Sequence, residues 1–264
     1  MVVYSLLDRA RRISNKLGIT GVLDSIGVLD VVYRTYWRVA WWVSNSEKIE
    51  LEIGDARSEF WPVDWNDFRH LDSEFEEGII RDVVEKTSPK DVFWDVGAHI
   101  GIYTCLVGSV LDRGEVVAFE PNPTMRQRLN SNVAHNELSN VTVLPHAVSD
   151  RDEKGEMAGW EVQEGGDGTG DPVELVKGDS IAVENAIPNP TIVKIDIEGE
   201  EINALRGLDR MLNESVRLVY VEVHPDRIQG NPGVVEELLV DAGFTDVQRF
   251  KETDGSIYHV RAVK

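Results

Sequence analysis

From residue 91 onward, short apolar runs alternate with segments whose apolar positions recur at helical spacing. The runs are VFWDVG (92–97), VVAFEP (116–121), VTVLPHAV (141–148), TIVKIDIEG (191–199) and RLVYVEVHP (217–225). Near-continuous apolar strands of this kind suit a parallel sheet covered on both faces. Helices are predicted over about 100–112, 123–136, from 199 to about 213, and 232–242, with two closing strands near 245–251 and 256–263. The pattern predicts an α/β fold with a doubly wound, Rossmann-like sheet. The acidic, glycine-rich segment 151–178, with GGDGTGDP at its centre, reads as an exposed insertion of hairpin type lying over the site.

The first third of the chain has a different texture. Residues 1–45 read as helical, punctuated by Gly18, Gly21 and Gly27. Residues 47–70 read as short strands and turns broken by Gly54 and Pro62, and 73–86 as a helix leading into the main fold. The expected organisation is a helical arm with short strands over 1–70 and one α/β domain over 71–264. The segment 28–43 carries Tyr33, Tyr36, Trp37, Trp41 and Trp42 beside Arg34 and Arg38. Aromatics at helical spacing usually belong to a packed face, so an arm packed on the domain or on a second subunit of a homo-oligomer is preferred. An amphipathic helix lying on a membrane surface is the alternative. The stretch is too short and too charged to span a bilayer. The N-terminal MVVYSLLDRARR lacks a basic region followed by an apolar run, so no secretory leader is expected.

Composition narrows the partners. At 264 residues with 42% hydrophobic content, the chain can bury a sizeable core. Its single cysteine, Cys105, excludes an intrachain disulfide and a cysteine-built zinc site, which suits a reducing, cytoplasmic compartment. Asp plus Glu number 47 against 27 Lys plus Arg, a net charge of -20. That field repels nucleic-acid phosphates, so no nucleic-acid partner is expected. An acidic, lysine-poor surface also serves solubility in a high-salt, halophilic cytoplasm, and that reading is preferred over a functional acidity.

Polar residues gather at the carboxyl ends of the predicted strands, where open α/β sheets bind ligands. DVGAHIG places Asp95, Gly97, His99 and Gly101 in a turn whose GxxxG spacing differs from the GxGxxG of pyrophosphate-binding loops. Such a loop can cradle an amino-acid moiety. Glu120 ends the second strand roughly 20 residues beyond it, the offset at which a carboxylate accepts both ribose hydroxyls. Its structural alternative is a helix N-cap ahead of Pro121, Asn122 and Pro123. KIDIEGEE supplies Lys194, Asp196, Glu198, Gly199 and Glu201, with Lys194, Asp196 and Glu198 alternating along one face of the fourth strand and its exit. Glu222 and His224 share a face of the fifth strand and emerge beside that cluster.

DVGAHIGIYT, AFEPNP, Asp179-Ser180, IVKIDIEGEEINALRG and YVEVHP, in this order, resemble the FkbM family of methyltransferases over roughly residues 75–250. The resemblance implies a class I methyltransferase sheet, mostly parallel with one antiparallel strand near the C-terminus. It implies S-adenosylmethionine as cofactor and methyl transfer to a hydroxyl, or a carboxyl, of a sugar, glycan or secondary metabolite. By position it implies that Asp95, Gly97 and Gly101 hold the methionine part, Glu120 the ribose and the stretch from His146 through Ala147 to Ser149 the adenine side, with Asp196 near the reacting centre; His99, Tyr103 and Asn122 complete the implied cofactor-binding set. His99 stands where the family usually has Asn.

For such a transfer a base must take the acceptor's proton. His224 is the first candidate and Asp196 or Glu198 the second, with Lys194 orienting a carboxylate or countering developing charge and Glu222 completing the cluster. The carboxylates Asp196, Glu198 and Glu222 with His224 also have the composition of a divalent-metal site. The same groups can pair with Lys194, so no metal is expected. Rival functions are an RNA methyltransferase, disfavoured because no basic stripe is present, a nucleotide-binding oxidoreductase, disfavoured by the absent GxGxxG, and a non-catalytic cofactor-binding scaffold.

Overall fold

A computed structural model describes residues 29–44, 48–71, 77–158, 161–163, 170–228, 230–251 and 257–264. The expected helical stretch over 1–28 lies outside the described residues. The chain divides into two compact units, one of residues 1–52 with 58–79 and one of 53–57 with 80–264.

In the first unit, α1 (Leu29–Ser44) sets Trp37 and Ala40 against Phe68 of α2 (Trp65–Leu71). Tyr36, Trp41 and Trp65 pack around them. The side of α1 that carries Val31, Val39 and Trp42 is exposed, Trp42 to 81%. β1 (Ile49–Ile53) and β2 (Ala56–Phe60) form a two-stranded sheet. Within 47–70, read as short strands and turns, Trp65–Leu71 is instead the helix α2. Asp64 starts it, its carboxylate accepting the backbone N–H groups of Asn66 and Asp67 at 2.9 and 3.0 Å.

The second unit begins within α3 (Glu77–Lys86) and is built on a seven-stranded sheet. In chain order its strands are β3 (Val92–Val96), β4 (Glu115–Phe119), β5 (Val141–Leu144), β10 (Ile192–Ile195), β11 (Leu218–Val223), β12 (Asp246–Lys251) and β13 (Tyr258–Val263). Their spatial order is β12-β13-β11-β10-β3-β4-β5, and β13 alone runs opposite to the other six strands. The apolar runs read from the sequence are the buried strand residues: Trp94, Phe119, Ile195 and Val221 are each at most 1% exposed. Helices α4 (Ile102–Val110), α5 (Pro123–His135), α7 (Glu201–Gly207), α8 (Asp209–Glu214) and α9 (Val234–Asp241) complete the alternation.

Two expectations change. The single strand over 141–148 is two. Pro145, which cannot donate to a ladder, separates β5 from β6 (His146–Ser149), and β6 leaves the main sheet. It pairs in parallel with β9 (Asp171–Lys177). With β7 (Glu153–Ala158) and β8 (Glu161–Gln163), these make a separate four-stranded sheet, larger than the expected hairpin. A further helix, α6 (Gly178–Glu184), follows β9. Its Asp179 accepts the backbone N–H groups of Arg210 and Met211 at 2.9 and 3.2 Å, tying α6 to the start of α8.

From β3 the chain builds the sheet toward β4 and β5, and from β10 it builds the other way. The reversal falls between β3 and β10, which are parallel neighbours with Asp95 opposite Lys194. Ligand crevices of open α/β sheets lie beyond the strand ends at such a switch point.

Candidate active site

The loop leaving β3 is fitted to its neighbours by glycine. Gly97 has φ 81°, and a Cβ there would lie 1.9 Å from the Asp196 carbonyl oxygen. Gly101 has φ 89°, and a Cβ would lie 2.4 Å from Leu129 Cδ1. Only a residue without a side chain permits both the left-handed backbone and the close approach. The backbone N–H groups of Gly97 and Ala98 both reach the Phe119 carbonyl at 3.0 Å, so the loop folds over the end of β4.

Glu120 is placed by that fold. Its carboxylate accepts the His99 N–H at 2.7 Å through one oxygen and the Asn122 N–H at 2.8 Å through the other. Burial outweighs these bonds and nearby Lys194, raising its pKa to about 7. His99 contributes through its backbone, at φ 51°. The Asn122 side chain caps α5, accepting the backbone N–H groups of Thr124 and Met125. His146 and Ala147 sit on β6. Glu120 donates its backbone N–H to Leu144, two residues before His146, while the His146 ring lies 3.5 Å from Glu174.

Lys194 is the hub of the crevice floor. Its Nζ lies 3.2 Å from Asp95 and 3.4 Å from Asp196, and donates to the Gly97 carbonyl at 2.9 Å. It also lies 5.1 Å from the centre of the Tyr103 ring, a cation–π distance. Burial alone would lower its pKa, but Asp95, Asp196 and Glu222 outweigh it and hold the ammonium charged. Asp95 is fully buried and also accepts Thr104 Oγ1 at 2.6 Å. Asp95 and Lys194 thus lie buried beneath the loop, joined to each other and, through Lys194, to the Gly97 carbonyl.

Beyond this floor the fourth- and fifth-strand residues converge. Ligand atoms of Asp196, Glu222 and His224 all lie within 4.8 Å of one another. Burial works against the Asp196 charge, yet Lys194, His224 and Glu222 together keep its pKa low. Glu222 also approaches His259 at 3.9 Å across the β11–β13 ladder. This trio has the composition of a divalent-cation site as well as of a proton-transfer site, and Lys194 already brings positive charge to Asp196. Glu198, at φ 48° in the turn after β10, pairs with Arg227 and comes within 3.9 Å of His224 Nε2.

One residue named in the sequence reading was given no role there. Glu201, fully buried in the first turn of α7, bonds His224 Nδ1 at 2.7 Å. An ionised carboxylate only accepts, so Nδ1 carries the hydrogen, and in the neutral ring Nε2 keeps the lone pair. Burial pulls the His224 pKa down, but the Glu201 bond and the charges of Asp196, Glu201 and Glu198 carry it above its ordinary value. Glu201 stands in the KIDIEGEE run, but nothing in its spacing points to a residue of the next strand.

Residues 95–245 match the Methyltransferase FkbM domain. Over 182 residues the chain is 30% identical to hexuronic acid methyltransferase AglP of Haloferax volcanii, an alignment covering 66% of this chain and 72% of that protein. Over 194 residues it is 27% identical to methyltransferase sdnD of Sordaria araneosa, covering 59% of this chain and 73% of the other. Among solved structures, a methyltransferase FkbM from Methylobacillus flagellatus superposes with a TM-score of 0.52 at 19% identity, over 74% of this chain. The chain spans 52% of that structure's length, and the likeness is one of fold.

Proposed function

The chain belongs to the FkbM family of methyltransferases, and from that premise we propose that it moves a methyl group from S-adenosylmethionine to an oxygen of a sugar-type acceptor, with a hexuronic acid unit as the favoured class. The observation that carries the cofactor is the charge of the crevice. Lys194 faces Asp95, Asp196 and Glu222, and Glu120 lies close by. An excess of carboxylates favours a cationic ligand, and a sulfonium is one. Glu120, held by two backbone N–H groups at the end of β4, suits a vicinal ribose diol. The loop from Gly97 to Gly101 is the corresponding seat for the amino-acid end. The acceptor class rests on the name of the Haloferax relative.

When bound, the cofactor supplies a methyl group already activated on sulfur. The chain then has to align the acceptor oxygen with that methyl and take its proton. A neutral sugar hydroxyl is a weak nucleophile. His224 Nε2 is the accepting atom, taking the proton that the acceptor hydroxyl sheds. A pKa raised above the ordinary histidine value makes the imidazole a stronger base near neutrality. Asp196 lines the reacting centre, with Glu198 and Glu222 beside it. A carboxylate acceptor needs no base, and the protonated imidazole then holds it by charge.

Among the described residues no helix is long and apolar enough to cross a membrane. The exposed Val31, Val39 and Trp42 of α1 suit a peripheral contact with a membrane that presents a lipid-linked acceptor. Unchanged liposome co-sedimentation of Trp42→Ser would remove that contact. The net charge of -20 disfavours nucleic acid as a partner.

The test is calorimetric titration with S-adenosylhomocysteine in high salt, followed by S-adenosylmethionine turnover with glucuronic acid and a glycan panel. Absence of binding by the folded protein would sink the reading.

A further inference from the structure

We propose that Glu201 is the positioning residue of the base: it fixes the tautomer of His224 and aims Nε2 into the crevice. The inference rests on the methyl-transfer reading above and adds a residue to it.

The observations are geometric. Glu201 is 0% exposed, yet it carries a carboxylate. One oxygen, Oε1, accepts both the Gly199 N–H at 3.0 Å and the His224 Nδ1–H at 2.7 Å. The other, Oε2, is buried with no hydrogen-bond partner among the described residues. A buried carboxylate oxygen left without a partner costs free energy, and such groups persist chiefly where function retains them. A neutral residue would fill the space in α7 without that cost.

Gly199 explains how the carboxylate is aimed. Its φ is 109°, and a Cβ there would lie 2.9 Å from Arg227 Cβ, so the turn between β10 and α7 closes against the segment following His224. The Gly199 N–H then clamps Oε1 at the point where Nδ1 arrives. With Nδ1–H held, the ring cannot flip without breaking a charge-assisted bond; it stays beside Asp196 and Glu222, with Nε2 3.9 Å from Glu198. Histidines that move protons are commonly oriented this way by a third group.

The test is a nitrogen-15 NMR titration of His224, assigned by its loss in His224→Asn, in the wild type and in the near-isosteric Glu201→Gln. In the wild type the neutral ring should be the Nδ1–H form, and it should titrate above the ordinary histidine value. In Glu201→Gln the midpoint should fall by ~1 pH unit, as expected for loss of an adjacent charge, with S-adenosylhomocysteine affinity unchanged. A predominantly Nε2–H ring in the wild type overturns the inference without any variant. So does an unmoved midpoint in Glu201→Gln, or a tenfold loss of S-adenosylhomocysteine affinity, which would place Glu201 in the cofactor seat. A wild type that shows the coupled ring but binds no S-adenosylhomocysteine would instead defeat the methyl-transfer reading and leave the pairing intact.

Discussion

The carboxylate of Glu120 accepts the backbone N–H of His99 at 2.7 Å, locking the end of the second parallel strand to the glycine loop that follows the first. A bond to a charged group of this kind is worth about 1.5–3 kcal/mol. Glu120→Ala should therefore weaken S-adenosylhomocysteine binding roughly 10–100-fold. Calorimetry reads this directly, and equal affinities would exclude Glu120 as the ribose anchor. Since burial raises its pKa to about 7, the ionised acceptor forms above that value. Wild-type affinity should rise between pH 6 and pH 8, whereas that of Glu120→Gln should stay level.

Lys194→Met should be among the most damaging substitutions to the fold. It removes the cation 3.2 Å from Asp95 and 3.4 Å from Asp196 and leaves both carboxylates uncompensated at the crevice floor. Breaking a buried pair from one side costs about 3–5 kcal/mol. Urea unfolding should show a loss of that order, and a loss below ~1 kcal/mol would mean that the floor relaxes around the two acids.

Gly97→Ala and Gly101→Ala should differ in severity although both have positive φ. The left-handed backbone costs each about 1–2 kcal/mol. At Gly97 the new Cβ meets a backbone carbonyl at 1.9 Å, which cannot give way without moving β10. At Gly101 it meets a leucine methyl at 2.4 Å, which can rotate. Thermal melts should place Gly97→Ala lower, and the reverse order would refute this account.

His99→Asn should preserve both folding and S-adenosylhomocysteine affinity within about threefold. At φ 51° the position needs a residue that tolerates the left-handed region, and Asn does so at least as well as His. A larger loss would show that the imidazole itself contributes to the site.

Acid should weaken the protein partly through His259. Burial, reinforced by Lys194 and His224 against the pull of Asp196, lowers its pKa from 6.5 to about 4. The unfolded chain takes up this proton first, so stability is full above about 6.5 and declines as the pH falls toward 4. By pH 5 the loss from this group is on the order of 2 kcal/mol. Wild-type melting temperature should fall more between pH 7 and pH 5 than that of His259→Gln, and parallel curves would contradict it.

Much of the architecture was legible from local pattern. Buried strands advertise themselves as apolar runs because both of their faces are covered, and VFWDVG, VVAFEP and RLVYVEVHP did so. The misread stretches had weaker signals. VTVLPHAV looks continuous until Pro145 is weighed as a ladder breaker, and α2 is short enough for its Asp64 cap to pass as a turn.

The chain alone determined the alternation of strands and helices, the glycine loop, the offset of Glu120 and the charged exits of the fourth and fifth strands, since each depends on neighbours within a few residues or on a fixed spacing. Only the tertiary structure decided the partners. Lys194 meets Asp95 because β10 lies beside β3, and Glu201 meets His224 because α7 packs back toward the end of β11. Periodicity states which residues turn inward. Strand order, set by the packing of the whole sheet, states whom they meet, and in a crevice of buried charges the partner decides whether a residue supports the floor or faces the chemistry.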